Sequence, residues 1–152
     1  MSRRVRLAIY LYGVALLVYA IDRVTKWAVQ RELAGRPPID LISGVLRLRY
    51  TTNTGGAFGL FGGQAWLFFL ATLVVCMVIA AASTRLGSIP SAIGLGLILG
   101  GALGNLTDRL VRGPRGVVDF IDFRVWPVFN AADSAIVIGA MVILVTGIVR
   151  RD

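Results

Sequence analysis

Two aspartates are the residues best placed to do chemistry: Asp119, in Val117-Val118-Asp119-Phe120-Ile121, and Asp133, in Phe129-Asn130-Ala131-Ala132-Asp133-Ser134. Each lies beside or at the mouth of a long apolar segment. A carboxylate is costly to place there, which makes such acids functional candidates. The sequence has no histidine and one cysteine, Cys76, so acid–base work near neutral pH falls to shifted carboxylates or lysine. The same counts leave no ligand set for zinc and no Ser-His or Cys-His machinery. No metal and no cofactor is expected. Carboxylates whose surroundings push their pKa values apart can act as a general base and a general acid. Asp133 near a helix N-terminus has its ionised form favoured. Asp119, in apolar company, is the expected proton holder, although such a pair titrates as a unit.

The elements that must position them are membrane helices. The 152 residues are 57% hydrophobic with a mean hydropathy of +0.78, well above soluble chains. Their number suits one membrane-embedded domain, residues 1–152. Four apolar spans are expected, near residues 7–21 (continuing as helix to Trp27), 65–82, 90–106 and 134–149. Each approaches the length that crosses a hydrocarbon core of about 30 Å. Ser2-Arg3-Arg4-Val5-Arg6 ahead of the first span has the look of a signal peptide. The apolar run is too long for one and lacks a small-residue cleavage site, so it reads as a retained first helix. Ser88 is a natural N-cap for the third span, with Pro90 in its first turn. Gly96, Gly100 and Gly104 recur at four-residue spacing, widened by Gly101 and Ala102, and Ala131, Ala135 and Gly139 share that spacing in the fourth span. Small faces of this kind allow close helix approach, so the third and fourth spans are expected to pack through them.

Between the first two spans, Leu46-Arg47-Leu48-Arg49-Tyr50 alternates apolar and charged residues, a strand signal. Pro37-Pro38 before it and the glycines after it mark turns. A small sheet capping one end of an all-α, four-helix membrane protein follows, with Trp27, Trp66 and Trp126 falling at that end as an interfacial belt. The net charge of +8 reads as basic flanks that snorkel or meet anionic headgroups. No nucleic-acid-binding motif accompanies it, so nucleic acid is not an expected partner. Orientation from charge alone stays open. Arg3, Arg4, Arg6, Arg150 and Arg151 abut the first and last spans and favour cytoplasmic termini, while a raw count of basic residues favours the opposite loops.

In this arrangement the polar motifs gather at the sheet end. Asp22 and Lys26 are four apart with the acid first, an ordinary helical ion pair if taken alone. Asn53-Thr54-Gly55-Gly56-Ala57-Phe58 by itself is only a turn. Gly104-Asn105-Leu106-Thr107-Asp108-Arg109 sets Asn105 near Asp108 and Arg109 on one helical face. Asn130 followed three residues later by Asp133 reads first as a capping box.

Taken together and in order, Asp22-x-x-Thr25-Lys26, Asn53-x-Gly55-Gly56-Ala57-Phe58, Gly104-Asn105-x-x-Asp108-Arg109, Val117-Val118-Asp119-Phe120 and Phe129-Asn130-x-Ala132-Asp133 resemble the bacterial lipoprotein signal peptidases, or signal peptidase II. The resemblance covers nearly the whole chain. Arg23 stands where that family commonly has Gln, Gly56 where it commonly has Ala, and the stretch between Asp119 and Asp133 is short for it. The resemblance implies an aspartic endopeptidase of the bacterial cytoplasmic membrane, with its site towards the outer face. Its substrates would be prolipoproteins carrying a diacylglyceryl-cysteine, cut just before that cysteine, and its other partners membrane lipids; a monomer is expected. It also implies that Asp119 and Asp133 are catalytic, with Asp22, Lys26, Asn53, Gly55, Asn105, Asp108, Arg109, Asn130 and Ala132 binding substrate or supporting the site.

Two other readings compete. A small transporter would relay protons or cations through Asp22, Asp108, Asp119 and Asp133, but a pathway needs polar groups at several depths and these cluster at one face. A membrane scaffold would use the acids in structural ion pairs. Asp108 beside Arg109 fits that, whereas Asp119, in a short apolar segment, has no obvious basic partner. The segment from Asn53 to Gly63, with five glycines, is the candidate for closing over a bound peptide.

Overall fold

The computed structural model describes residues 1–54 and 65–149. Four helices are long and apolar enough to cross a membrane: α1 (Arg3–Leu33), α2 (Ala65–Ala82), α3 (Ile89–Arg112) and α4 (Ala131–Val149). Three strands accompany them, β1 (Ile39–Ile42), β2 (Leu46–Asn53) and β3 (Val117–Asp122). They form one antiparallel sheet in the order β1-β2-β3. The four-helix architecture with a small sheet is thus as the sequence indicates. Two of the strands, β1 and β3, escape the sequence reading because their periodicity is too short to register.

Helix α1 is far longer than its apolar run. Its 31 residues rise roughly 46 Å at about 1.5 Å each, well beyond a hydrocarbon core of about 30 Å. The surplus carries Asp22 and Lys26 clear of the bilayer centre, and its final turns become the floor of the sheet. There Val29 and Leu33 are buried with Val118 and Phe120, and Leu48 and Tyr50 pack against them. Alternation along β2 sends Arg47 and Arg49 to the other face, where both Nε atoms donate to Asp122 Oδ2 at 2.7 Å. Burial would push Asp122 up, but Arg47, the Arg124 amide and Arg49 outweigh it and hold it below the usual carboxylate range.

Helix α3 is central, packing most extensively against α4 and α1 and less against α2. It starts as the sequence indicates, with Ser88 Oγ accepting the Ser91 amide at 3.2 Å and Pro90 in the first turn. It runs on to Arg112, six residues past the expected end near Leu106, because Thr107 to Arg112 lie against α1 and the sheet. The membrane core, with Leu7, Leu11, Ala15, Ile79, Ala92 and Leu99, sits where α1, α2 and α3 meet.

The glycine stripe requires a correction. Helices α3 and α4 do pack closely, but Gly96, Gly100 and Gly104 face α1. A methyl group on Gly96 or Gly100 would come within 2.5 Å of the Leu11 or Ala15 carbonyl oxygen, and one on Gly104 would strike the Asp22 carboxylate. The approach of α4 uses Gly94 and Gly101 instead. A methyl on Gly139 would lie 2.6 Å from the Gly94 carbonyl oxygen, and one on Gly101 would strike the Ala132 carbonyl oxygen. Two small faces on one helix let α3 serve two neighbours.

Candidate active site

Strand β3 carries Asp119 opposite Thr51 of β2. Strand alternation separates its side chain from Val118 and Phe120, which belong to the α1-facing cluster. The loop after β3 folds back through a bridge between Ile121 and Phe129. That return delivers Asn130 to the start of α4 directly beside the strand. Asn130 and Asp133 form the capping box that the sequence indicates: the Asp133 amide donates to Asn130 Oδ1 at 2.9 Å, and the Asn130 amide donates to Asp133 Oδ2 at 3.2 Å.

The cap does not exhaust Asn130. With its Oδ1 committed to the Asp133 amide, its Nδ2 points the other way and donates to Asp119 Oδ1 at 2.6 Å. Weaker contacts at 3.2 Å run to the Val118 carbonyl and Asn105 Oδ1. One wholly buried residue therefore touches both candidate carboxylates, Asp119 through its side chain and Asp133 through its backbone amide. Asp133 also accepts from Asn105 Nδ2 at 2.7 Å, and the Asn53 side chain hydrogen-bonds Asp119. Asp119 is buried and Asp133 half-buried. Burial, then the nearby charge of Asp133, push Asp119 up to about 7 against the pull of Asn130, Asn53 and Lys26.

Behind this pair lies a compensated ionic layer. Lys26 Nζ has three protons and three acceptors: Asp22 Oδ2 at 2.9 Å, Asn105 Oδ1 at 2.9 Å and Asp108 Oδ2 at 3.2 Å. By holding Asn105 Oδ1, Lys26 fixes the carboxamide so that its Nδ2 must face Asp133. Arg23 Nη2 donates to Asp108 Oδ1 at 2.7 Å, and the Val118 amide donates to Asp108 Oδ2 at 3.0 Å, tying α3 to β3. The Ala132 amide donates to Asp22 Oδ1 at 3.2 Å. Two acids and two cations thus balance here. By contrast, among the described residues neither Asp119 nor Asp133 forms an ion pair within 4.0 Å.

Two clefts flank the pair. One, of about 710 Å³, is lined by Asn53, Trp66, Arg109, Leu110 and Gly116 among others. Arg109 donates to the Asn105 carbonyl at 3.4 Å, packs its guanidinium over Phe68, and lies within electrostatic reach of Asp133 and Asp119. The other, of about 350 Å³, runs along Trp126, Phe129, Asp133, Ser134, Val137 and Ile138 and is mostly apolar. The apolar cleft reaches Asp133 itself, and the larger one reaches Asn53, which hydrogen-bonds Asp119.

Of the residues singled out from sequence, Asp22, Lys26, Asn53, Asn105, Asp108, Arg109, Asp119, Asn130, Ala132 and Asp133 come together at one end of the bundle. Gly55 and most of the proposed closing segment lie outside the described residues. Arg23 belongs to the network although sequence reasoning passed over it. Its neighbour Asp22 was a signal, but no local rule aims it at Asp108, 85 residues away. Trp27, Trp66 and Trp126 are exposed at this same end.

Residues 14–149 match the model of the family described as signal peptidase (SPase) II. The lipoprotein signal peptidase of Syntrophomonas wolfei is 47% identical over 135 residues, 88% of this chain and 89% of that protein. That of Streptomyces coelicolor is 43% identical over 148 residues, 95% of this chain and 72% of that protein. A solved structure described as a bacterial membrane enzyme superposes with a TM-score of 0.78 at 28% identity, covering 89% of this chain and 85% of that one. On the extent of these matches, the chain belongs to the signal peptidase II family.

Proposed function

We propose that this protein is a membrane aspartic endopeptidase that removes the signal peptide from diacylglyceryl-modified prolipoproteins, cutting before the lipidated cysteine. The observation that carries the reading is Asn130, whose side chain donates to Asp119 and whose backbone amide donates to Asp133, two carboxylates that form no ion pair among the described residues, in a chain without histidine. The transporter alternative finds no support, because Asp22, Asp108, Asp119 and Asp133 share one cluster at one end of the bundle. The scaffold alternative accounts for Asp22 and Asp108, which are ion-paired, and leaves Asp119 and Asp133 unexplained.

Asp119 carries the shared proton, consistent with its elevation to about 7 by burial and Asp133. Asp133 is the carboxylate, receiving N–H donors from Asn105 and Asn130 and lying in the first turn of α4, where the helix dipole favours negative charge. Water attacks the scissile carbonyl carbon as Asp133 takes its proton and Asp119 gives one to the carbonyl oxygen, forming a gem-diol. Collapse breaks the C–N bond. Asp133 passes its proton to the leaving amine, and Asp119 recovers one from the diol hydroxyl, which restores the starting state.

The site would face outward from the bacterial cytoplasmic membrane, with cytoplasmic termini, and the enzyme would act as a monomer. Two acyl chains keep the substrate in the bilayer, at about 0.8 kcal/mol per buried methylene, and set its cysteine at the depth of the dyad. The apolar cleft beside Asp133 suits such an anchor. The test incubates the purified protein in detergent with matched precursors, one diacylglyceryl-modified and one not. Rapid shortening of the lipidated precursor alone is expected. Equal initial rates would sink the lipid requirement, and no shortening of either would sink the peptidase reading.

A further inference from the structure

A third cleft, of about 500 Å³, opens between the ends of α1 and α3, and its walls contain neither Asp119 nor Asp133. Five cations, Arg23, Lys26, Arg31, Arg112 and Arg115, line it against one carboxylate, Asp108. Arg23 and Lys26 are balanced by Asp22 and Asp108, Arg31 shares Glu32 with Arg36, and Arg112 and Arg115 form no ion pair among the described residues. Arg112 spends its guanidinium on neutral acceptors: Gln30 Oε1 at 2.7 Å, the Tyr50 hydroxyl at 3.0 Å and the Gly116 carbonyl at 3.0 Å. Arg115 makes no side-chain hydrogen bond or ion pair among the described residues. Arg31 touches only exposed Glu32, at 3.5 Å, and lies over the Trp27 ring. Among the described residues, Arg23 Nε is a buried donor without a hydrogen-bond partner. The cleft therefore carries a surplus of positive charge with N–H donors to spare, the recognition chemistry of a phosphate.

The same helix pair continues downward as an apolar groove of about 360 Å³ along Tyr12, Leu16, Tyr19, Leu99 and Leu103, ending at Thr107. Leu99, Leu103, Thr107 and Val111 are four apart and form one stripe of α3. Tyr12, Leu16, Tyr19, Arg23 and Trp27, three or four apart, form a stripe of α1. Cleft and groove share no lining residue, and the Thr107 hydroxyl bonds the Tyr19 hydroxyl at 3.3 Å where they meet; they follow one another along one helix pair as a furrow, basic at the sheet end and apolar below. From Arg31 to Leu16 is roughly 22 Å at about 1.5 Å per residue, close to half of a bilayer with its headgroup layer, about 20–22 Å. A basic head site over an apolar stem of leaflet depth has the form of one lipid molecule.

We propose that the α1/α3 furrow binds an anionic phospholipid, with its phosphate among Arg31, Arg112 and Arg115 and an acyl chain lying against Leu16, Leu99 and Leu103. The charge surplus selects a net-negative headgroup over a zwitterionic one. The test uses the full-length protein in detergent with equal amounts of phosphatidylglycerol and phosphatidylcholine of identical acyl chains, counting retained lipids by native mass spectrometry. Preferential retention of one phosphatidylglycerol, about tenfold or more, is expected. The double variant Arg31→Gln/Arg115→Gln, both at exposed side chains, should reduce that preference to near parity. sn-Glycerol 3-phosphate, added as a soluble competitor, should leave the lipid in place. Equal retention of the two lipids, or an unchanged preference in the double variant, would overturn the assignment. Displacement by glycerol phosphate would overturn the lipid part and give the cleft to a soluble phosphate. The readout is retention and not cleavage, so its failure leaves the peptidase reading untouched.

Discussion

Asp22 Oδ1 accepts the backbone amide of Ala132 at 3.2 Å, which ties the first helix to the first turn of the last across 110 residues of chain. Asp22 is wholly buried, and its other oxygen is held by Lys26 at 2.9 Å. The contact locks the turn that presents Asp133. Lys26→Met would remove the cation between Asp22 and Asp108 and leave buried carboxylates short of compensation, a loss of about 3–5 kcal/mol for one partner of a buried pair. Thermal unfolding in detergent should show a markedly lower midpoint, and an unchanged midpoint would mean that Arg23 alone suffices.

Asp119→Asn and Asp133→Asn should each abolish cleavage while leaving a folded membrane protein, because each removes one half of the acid–base pair and keeps its shape. Because a dyad works as a unit, the double variant should be scarcely slower than either single one. Turnover of lipidated precursor is the measurement. Near-normal turnover in either single variant would remove that residue from the mechanism.

The state of Asp119 makes activity and stability depend on pH in predictable directions. Its elevation to about 7 means that the working proton is lost as pH rises through that value, so single-turnover cleavage should fall on the alkaline side with a midpoint near 7. Stability has the same sign. A carboxyl whose folded value is raised contributes its full stability below its ordinary 3.8 and loses it as pH climbs to about 7. Asp119→Asn imitates the protonated form, so it should melt higher than the parent at pH 8 and about equally at pH 4. At about 1.4 kcal/mol per unit, the gain is on the order of a few kcal/mol. A variant that melts lower at pH 8 would contradict a protonated, buried Asp119.

How much of this was legible in the sequence differs by element. The spans announce themselves because hydropathy is summed over eighteen or more residues, and the Asn130–Asp133 cap is legible because its partners are three residues apart. That Asn130 also bonds Asp119 depends on β3 pairing with β2 and folding back at Phe129, contacts no local periodicity encodes. The glycine stripe was visible but its partner was not. Spacing of four fixes a face of α3, and only the three-dimensional arrangement decides that this face meets α1. Arg23 was overlooked for the same reason, since its bond to Asp108 joins two distant helices.

Helical glycines in tight and in open positions give a graded test of packing. Gly100→Ala would set a methyl 2.5 Å from the Ala15 carbonyl oxygen and 2.7 Å from Val18 Cβ, forcing α1 and α3 apart at a cost of about 1–3 kcal/mol. Gly13→Ala and Gly147→Ala meet nothing within 4 Å and, as helix positions gaining alanine, should be neutral or stabilising by up to about 1 kcal/mol. Gly104→Ala adds a functional penalty, because the atom displaced is the Asp22 carboxylate. Melting and turnover of the four variants should therefore separate: Gly100→Ala chiefly lowers stability, and Gly104→Ala lowers both. Full activity in Gly104→Ala would show that Asp22 can move without disturbing Asp133.

Asn105 offers the sharpest separation of binding from chemistry. Its Nδ2 donates to Asp133 at 2.7 Å while its Oδ1 is held by Lys26 at 2.9 Å, so it orients Asp133, the carboxylate of the proposed dyad, from below. It lines neither of the two clefts that flank the pair, which leaves substrate binding to other residues. Asn105→Ala would remove a hydrogen bond to a charged group, worth about 1.5–3 kcal/mol, and that corresponds to a fall in kcat of roughly 10- to 100-fold. KM for the lipidated precursor should stay within about twofold if only transition-state interactions are lost. Asn105→Gln keeps the carboxamide but displaces it by a methylene, so it should recover little. Steady-state kinetics on the same precursor decide the matter. A large rise in KM with kcat unchanged would move Asn105 from positioning the dyad to holding the peptide.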